Sequence, residues 1–298
     1  MSENVIFPYR QGLRIMQLTD LHLVRWDGIG PEKQMLDMMR WMIREEKPDL
    51  ILITGDLACT PTPVECYRGF CEYMDELGLP WAMCMGNHDG EWEPGYEGLE
   101  PFLLQSRTCL YRRGTLEGYG NYTVSLTDEN GDTAWVLYFL DTHKESYLTP
   151  EQTAWYRACR DEIIKKHGKN VPSMVFMHAP FREYVDIRNA GAPGEMREGV
   201  SHLSTDSGML EAFLEKGDIR AVFAGHDHVN DFFGDWKGIL LAYGRGTCMG
   251  AVDMDCVRRG GYLRPGFLPG CRMIVLEGEK IQTYVRLKNG STLYKNEN

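Results

Sequence analysis

The chain has 298 residues, 43% hydrophobic and 25% charged, and a formal net charge of -11. That is the composition of an ordinary globular protein, and an acidic chain without a basic tract disfavours a nucleic-acid binder or a polybasic membrane anchor. Residues 1–14 carry Glu3, Pro8 and Arg10 and do not read as a signal peptide. No apolar run approaches the roughly 18 residues that a membrane span needs. The nine cysteines are odd in number and lack CxxC spacing, so reduced thiols in a cytoplasmic protein are expected.

In chain order, the recurring unit is an apolar strand, a polar turn and a helix. Arg14–Leu18 reads as a strand ending at Thr19-Asp20. Residues 32–47 read as a helix whose Met35, Met38, Met39 and Met42 recur at helical spacing, a core stripe that Pro48 stops. Asp49–Thr54 is a near-continuous apolar strand, the pattern of a strand covered on both faces. Thr62-Pro63 with Glu65 suggests a capping box for a helix over 63–77. Trp81–Met85 is the next strand. Tyr122–Leu126 and Ala134–Leu140 flank the turn signal Asn130-Gly131 and predict a hairpin. Thr149, Pro150 and Gln152 repeat the capping-box pattern and open a helix to about residue 166. Strands follow at Ser173–Met177 and Ile219–Ala224, separated by a helix near 208–216, and further strands fit 239–242, 272–276 and 280–287. Segments 181–207 and 244–270 are rich in Gly, Pro and charge, and their length suggests a functional role, including choice of substrate. No linker or repeat divides the chain, so one α/β domain over 1–298 is expected, built of two packed sheets with helices outside.

The polar residues that carry chemistry sit where these strands end. Asp20, Asp56, Asn87, His178 and the pair His226/His228 each follow an apolar strand, and ligands in open α/β sheets collect at strand carboxyl ends. Imidazole, carboxylate and amide donors suit zinc, iron or manganese. Asp20-x-His22 and His226-x-His228 each place two donors on one side of an extended chain, and a carboxylate such as Asp56 has lone pairs enough for two ions. Asp-x-His and Gly-Asp are weak alone, Gly-Asn-His-Asp and Gly-His-Asp-His are rarer, and a single histidine is more often an ordinary hydrogen-bonded one. Together, and in order, they are specific.

The run Asp20-x-His22, Gly55-Asp56, Gly86-Asn87-His88-Asp89, His178 and Gly225-His226-x-His228 resembles the motif set of the calcineurin-like metallophosphoesterases, over about residues 13–243. The resemblance implies a four-layer αββα sandwich of two mixed β-sheets flanked by helices, with a dinuclear metal centre at the strand ends. It implies one ion on Asp20, His22 and His228, another on Asn87, His178 and His226, and Asp56 between them. It places His88 facing the phosphate, supported by Asp89. The purple acid phosphatase branch carries a tyrosine at the place of Cys59 and lacks a histidine at that of His22. This sequence is therefore similar to the small relatives of that branch without the tyrosinate ligand.

The expected activity is hydrolysis of a phosphomonoester or phosphodiester on a small molecule or phosphoprotein, through a hydroxide bridging two manganese, iron or zinc ions. His88 would stabilise charge or protonate the leaving group. Arg245, Arg197, Arg182 and His143 are candidate substrate residues, each with an ordinary structural alternative. Asp227, between two candidate ligands, reads equally as a supporting or a solvated residue. The competing reading is a metal-binding, non-catalytic interaction scaffold on the same fold. Retention of His88 favours the enzyme.

Overall fold

The structure is a computed structural model and describes residues 4–249 and 266–295. Two mixed sheets form its centre. The first contains β2 (Leu13–Leu18), β3 (Leu50–Thr54) and β4 (Trp81–Cys84) as parallel neighbours. It continues antiparallel through β11 (Gly270–Glu277), β12 (Lys280–Leu287) and β13 (Thr292–Leu293) on the other side of β2. The second runs β1 (Asn4–Pro8), β5 (Tyr122–Thr127), β6 (Thr133–Leu140), β7 (Ser173–Met177), β8 (Ile219–Ala224), β10 (Ile239–Tyr243) and β9 (Phe233–Trp236). Its middle strands β6, β7, β8 and β10 are parallel, and β5 and β6 form the predicted antiparallel hairpin.

Period-two alternation decides which core each residue enters. Leu137 and Phe139 of β6 face the core between the sheets, while Val136, Tyr138 and Leu140 face a second core. The Tyr122 hydroxyl in β5 donates to the Met83 carbonyl in β4 at 2.9 Å and ties the two sheets together. Helices α1 (Gly30–Glu46) and α2 (Pro63–Leu77) contribute to the first core, α1 through all four residues of its methionine stripe. Helices α4 (Pro150–His167), α5 (Tyr184–Asn189) and α6 (Met209–Lys216) contribute to the second. The result is the expected four-layer sandwich of two mixed sheets flanked by helices.

The two capping-box patterns part ways. Thr149 caps α4 with both reciprocal bonds to Gln152. Thr62 makes no side-chain cap bond to α2, because its ψ of 58° leaves the extended conformation that Thr149 adopts at ψ 157°. Helix α3 (Gly95–Gln105) was not legible, since Gly98 and Pro101 lower its propensity. Tertiary packing forms it: Leu99 and Leu103 are buried, and Glu100 accepts from Tyr111 at 2.7 Å. None of the eight described cysteines forms a disulfide with another described residue. Among the described residues no helix is long and apolar enough to cross a membrane.

Candidate metal centre

The parallel strands of both sheets end on one rim, and their following loops meet there. Pairing between β2 and β3 continues past the strands: Asp20 N donates to Gly55 O, His22 N to Asp56 O, and Cys59 N to Leu23 O. Asp20, His22, Asp56 and His226 all have positive φ, the backbone cost that recurs where a site dictates side-chain direction. Two glycines let the loops close. A Cβ on Gly86 would stand 2.2 Å from Asp56 Oδ1, and one on Gly225 would stand 2.0 Å from Thr19 Oγ1.

Asp20, His22, Asp56 and His228 bring one ligand atom each within 4.8 Å of one another, and so do Asp56, His178 and His226. Asp56 belongs to both groups. Its Oδ1 accepts from His88 N at 2.9 Å, whereas its Oδ2 lies 3.3 Å from His178 Nε2 and 3.5 Å from His22 Nε2. Asp20 is divided likewise: Oδ2 accepts from Thr19 Oγ1 and His226 N, and Oδ1 lies 3.6 Å from His228 Nε2. Asn87 Oδ1 stands 3.0 Å from His178 Nε2. The inward atoms Asp20 Oδ1, Asp56 Oδ2 and both nitrogens of His22 are buried without a hydrogen-bond partner. Buried polar atoms are seldom left so, and a cluster of nitrogen and oxygen donors converging on one point fits a borderline divalent cation.

Electrostatics agree. Burial pushes Asp56 toward protonation, but the surrounding His178, His88 and His22 more than offset this and hold its pKa well below the usual value. Burial opposes charge on His178 and His22, yet the two carboxylates lift both to about 9. Burial and neighbouring histidines push His226 down to about 4 and His228 to about 3. The cluster thus draws in positive charge and keeps two neutral imidazoles with lone pairs. His178 Nδ1 lies 2.8 Å from Thr54 O. Donating there leaves Nε2 facing Asp56, where a cation would displace its proton, the orientation that a carbonyl partner imposes on a metal-binding histidine.

A family profile described as calcineurin-like phosphoesterase matches residues 13–230. The chain belongs to that family. It is 29% identical over 294 residues to "Probable inactive purple acid phosphatase 28" of Arabidopsis thaliana, covering 82% of this chain and 73% of that protein. It is 27% identical over 263 residues to "Phosphatase DCR2" of Saccharomyces cerevisiae, covering 74% of this chain and 44% of that longer protein. Among solved structures, a dimetal phosphatase from Danio rerio superposes with a TM-score of 0.61 at 13% identity, covering 96% of this chain and all of that one. That likeness concerns the fold.

Around the centre of this family member, the structure reassigns several neighbours. His88 donates from Nδ1 to Glu91 Oε2 at 2.7 Å. Asp89, expected to support His88, instead accepts from the backbone of Ala58 and Gly86 and pins those two loops together. The reason is the 3-10 turn over His88–Gly90, which brings residue 91 back beside residue 88. Asp227 is buried and accepts from Ser201 N and the Tyr243 hydroxyl, so it anchors the loop that carries His226 and His228. Segment 181–207 braces the same loop: Arg197 N donates to Val229 O, and Val229 N to Glu198 Oε1.

Arg245, a candidate substrate residue in the sequence, is fully buried, donates to Asp231 and Leu268 O, and lies 3.3 Å from the Phe267 ring centre, the contacts of a core residue. Arg197 pairs with Glu195 and lies over Phe267, and belongs to the same structural network. Arg182 is exposed. Of segment 244–270, residues 244–249 run beside the Asp20 loop, where Thr247 N donates to Thr19 O. Residues 250–265 lie outside the described residues.

His143 does stand by a cavity, of about 600 Å³, with Tyr96, Tyr119, Tyr147, Arg113 and Lys144. Two bonds join that cavity to the centre. The Tyr96 hydroxyl donates to Gly86 O, and Ala179 N, next to His178, donates to Thr142 Oγ1. Tyr96, in the unread helix α3, and Tyr119, a lone aromatic in a loop, were not singled out because nothing local marks either.

Proposed function

We propose that this chain is a dinuclear metal-dependent phosphoester hydrolase. The observation that carries the reading is the pair of carboxylates whose inward oxygens are buried, unpaired and ringed by imidazoles. Asp20, His22 and His228 would hold one ion, Asn87, His178 and His226 the other, and Asp56 both. When bound, manganese, iron or zinc ions supply Lewis-acid charge for phosphate oxygens and acidify water. His88, buttressed by Glu91, is the group beside the centre that can carry a proton to the leaving oxygen. Burial opposes its charge, but Asp56 and Glu91 prevail and raise its pKa. The cavity at Tyr96, Tyr119 and His143 receives the alcohol part of the ester. The substrate is then a phosphorylated small molecule or an exposed phosphorylated side chain.

The test joins metal analysis to turnover of p-nitrophenyl phosphate and bis(p-nitrophenyl) phosphate in added manganese, zinc or iron. Two ions per chain and metal-dependent turnover are expected. Asp56→Asn should lower turnover by about 10³-fold or more, since several kcal/mol of charge stabilisation is at stake. His88→Ala should lower it by about 10²–10⁴-fold. Near wild-type turnover in either variant removes the role given to that residue. A chain that binds two ions and turns over neither ester is a scaffold, the reading that the name of the Arabidopsis relative favours.

A further inference from the structure

A second group of donors lies on the His22 side of the centre. His22, Cys59 and His88 each bring one ligand atom within 4.8 Å of the other two. The group follows from the paired loops: the bridge between Leu23 and Ala58 carries Cys59 alongside His22, and the Asp56–His88 backbone bond brings His88 to the same place. Cys59 is 3% exposed, and its Sγ lies 3.7 Å from His88 Nδ1. The His22 and His88 rings meet edge to face at 5.2 Å. The His22 side chain is 3% exposed, and neither of its nitrogens has a hydrogen-bond partner. Nothing in the dinuclear reading uses the thiol.

We propose that His22, Cys59 and His88 form a thiol-bearing cation site that takes a thiophilic divalent ion, zinc or cadmium, and that filling it inhibits the enzyme. Donor chemistry sets the selectivity. Thiolate with imidazole prefers zinc and cadmium, whereas manganese prefers the carboxylate-rich positions. On binding, the cation displaces the Sγ–H proton and any proton on the imidazole nitrogens it engages, and these leave to solvent. Inhibition follows because the ion engages His88 and draws on His22, and this part rests on the function proposed above. Zinc would then act in two ways, supporting turnover while it fills the centre and suppressing it in excess.

The experiment titrates cadmium into the full chain previously loaded with manganese. It follows the ultraviolet thiolate-to-cadmium charge-transfer band, bound metal by equilibrium dialysis, and ester turnover. The wild type should show the band saturating at one ion per chain, with turnover lost at the same free cadmium. Cys59→Ser, close to isosteric, should lose the band. His88→Ala keeps the thiol and should show the band with affinity lowered about 10-fold or more. Melting curves check that both variants fold. A band of unchanged height and affinity in Cys59→Ser places cadmium on another thiol and overturns the site, and affinity unchanged in His88→Ala removes His88 from it. Band and stoichiometry are read without catalysis. A chain that hydrolyses no ester but shows the Cys59-dependent band refutes the enzyme and leaves the site standing. The opposite pattern refutes only the site.

Discussion

Two buried polar clusters in this molecule look alike in composition and differ in one respect. At the rim, Asp20 Oδ1, Asp56 Oδ2 and both nitrogens of His22 are buried without a hydrogen-bond partner, with His178, His226 and His228 gathered around them. A short way along the chain, Arg245, Arg272 and Asp231 are equally buried, but their hydrogen bonds close within the protein. Arg272 donates to Asp231 O, Tyr243 O and Thr283 Oγ1, and Arg245 donates to the Asp231 carboxylate, which also accepts from Glu195 N. A satisfied cluster holds a fold together, and an unsatisfied one awaits a ligand. The difference is not burial or charge count but whether the chain supplies its own counter-groups.

Breaking the closed cluster should give the largest stability effect. Arg245→Ala leaves the Asp231 carboxylate buried without its ion-pair partner and should cost about 3–5 kcal/mol in a denaturant titration. The Michaelis constant of the folded fraction should stay put. A large rise in it with stability intact would return Arg245 to the substrate site.

The open cluster should respond to ions instead. With metal at about 100 times its dissociation constant, folding gains about 2.7 kcal/mol, so a chelator should lower the melting temperature of the wild type. Asp56→Asn should show much less of that drop. An equal drop in both would place the stabilising ion elsewhere.

The same comparison can be read in the pH dependence of the chelated chain. Among the described groups, His22 and His178 have pKa values raised to about 9, so they favour the folded state below their unfolded value of about 6.5 and lose that contribution as pH rises through 9. His226 and His228, depressed to about 4 and about 3, act oppositely: the unfolded chain binds their protons first, so stability falls as pH drops below about 6.5. Melting temperature against pH should therefore peak near neutrality in chelator. With metal the peak should move upward, because the ligands must be deprotonated. A profile that does not change on adding metal would contradict metal binding at these histidines.

Much of the centre was legible because its signals are local. A strand of buried apolar residues is visible as a run, and Asp20, Asp56, Asn87, His178 and His226/His228 stand immediately after such runs. The same logic predicted the methionine face of α1 and the capped start of α4. It failed at α3, where packing against Tyr111 overrides a glycine and a proline, and at β1, which pairs with β5 more than a hundred residues away.

By itself the sequence determined the residue types of the centre, their order and their positions at strand ends, since strand, turn and donor are encoded within a few residues of each other. Only the tertiary structure decided which partner each polar group receives. His88 is supported by Glu91 and not Asp89, Arg245 turns inward to Asp231, and Cys59 comes to lie beside His22. The physical reason is that hydrogen bonds and ion pairs depend on distance and direction to within a fraction of an ångström, and those are set by loops meeting from two sheets, not by neighbours along the chain.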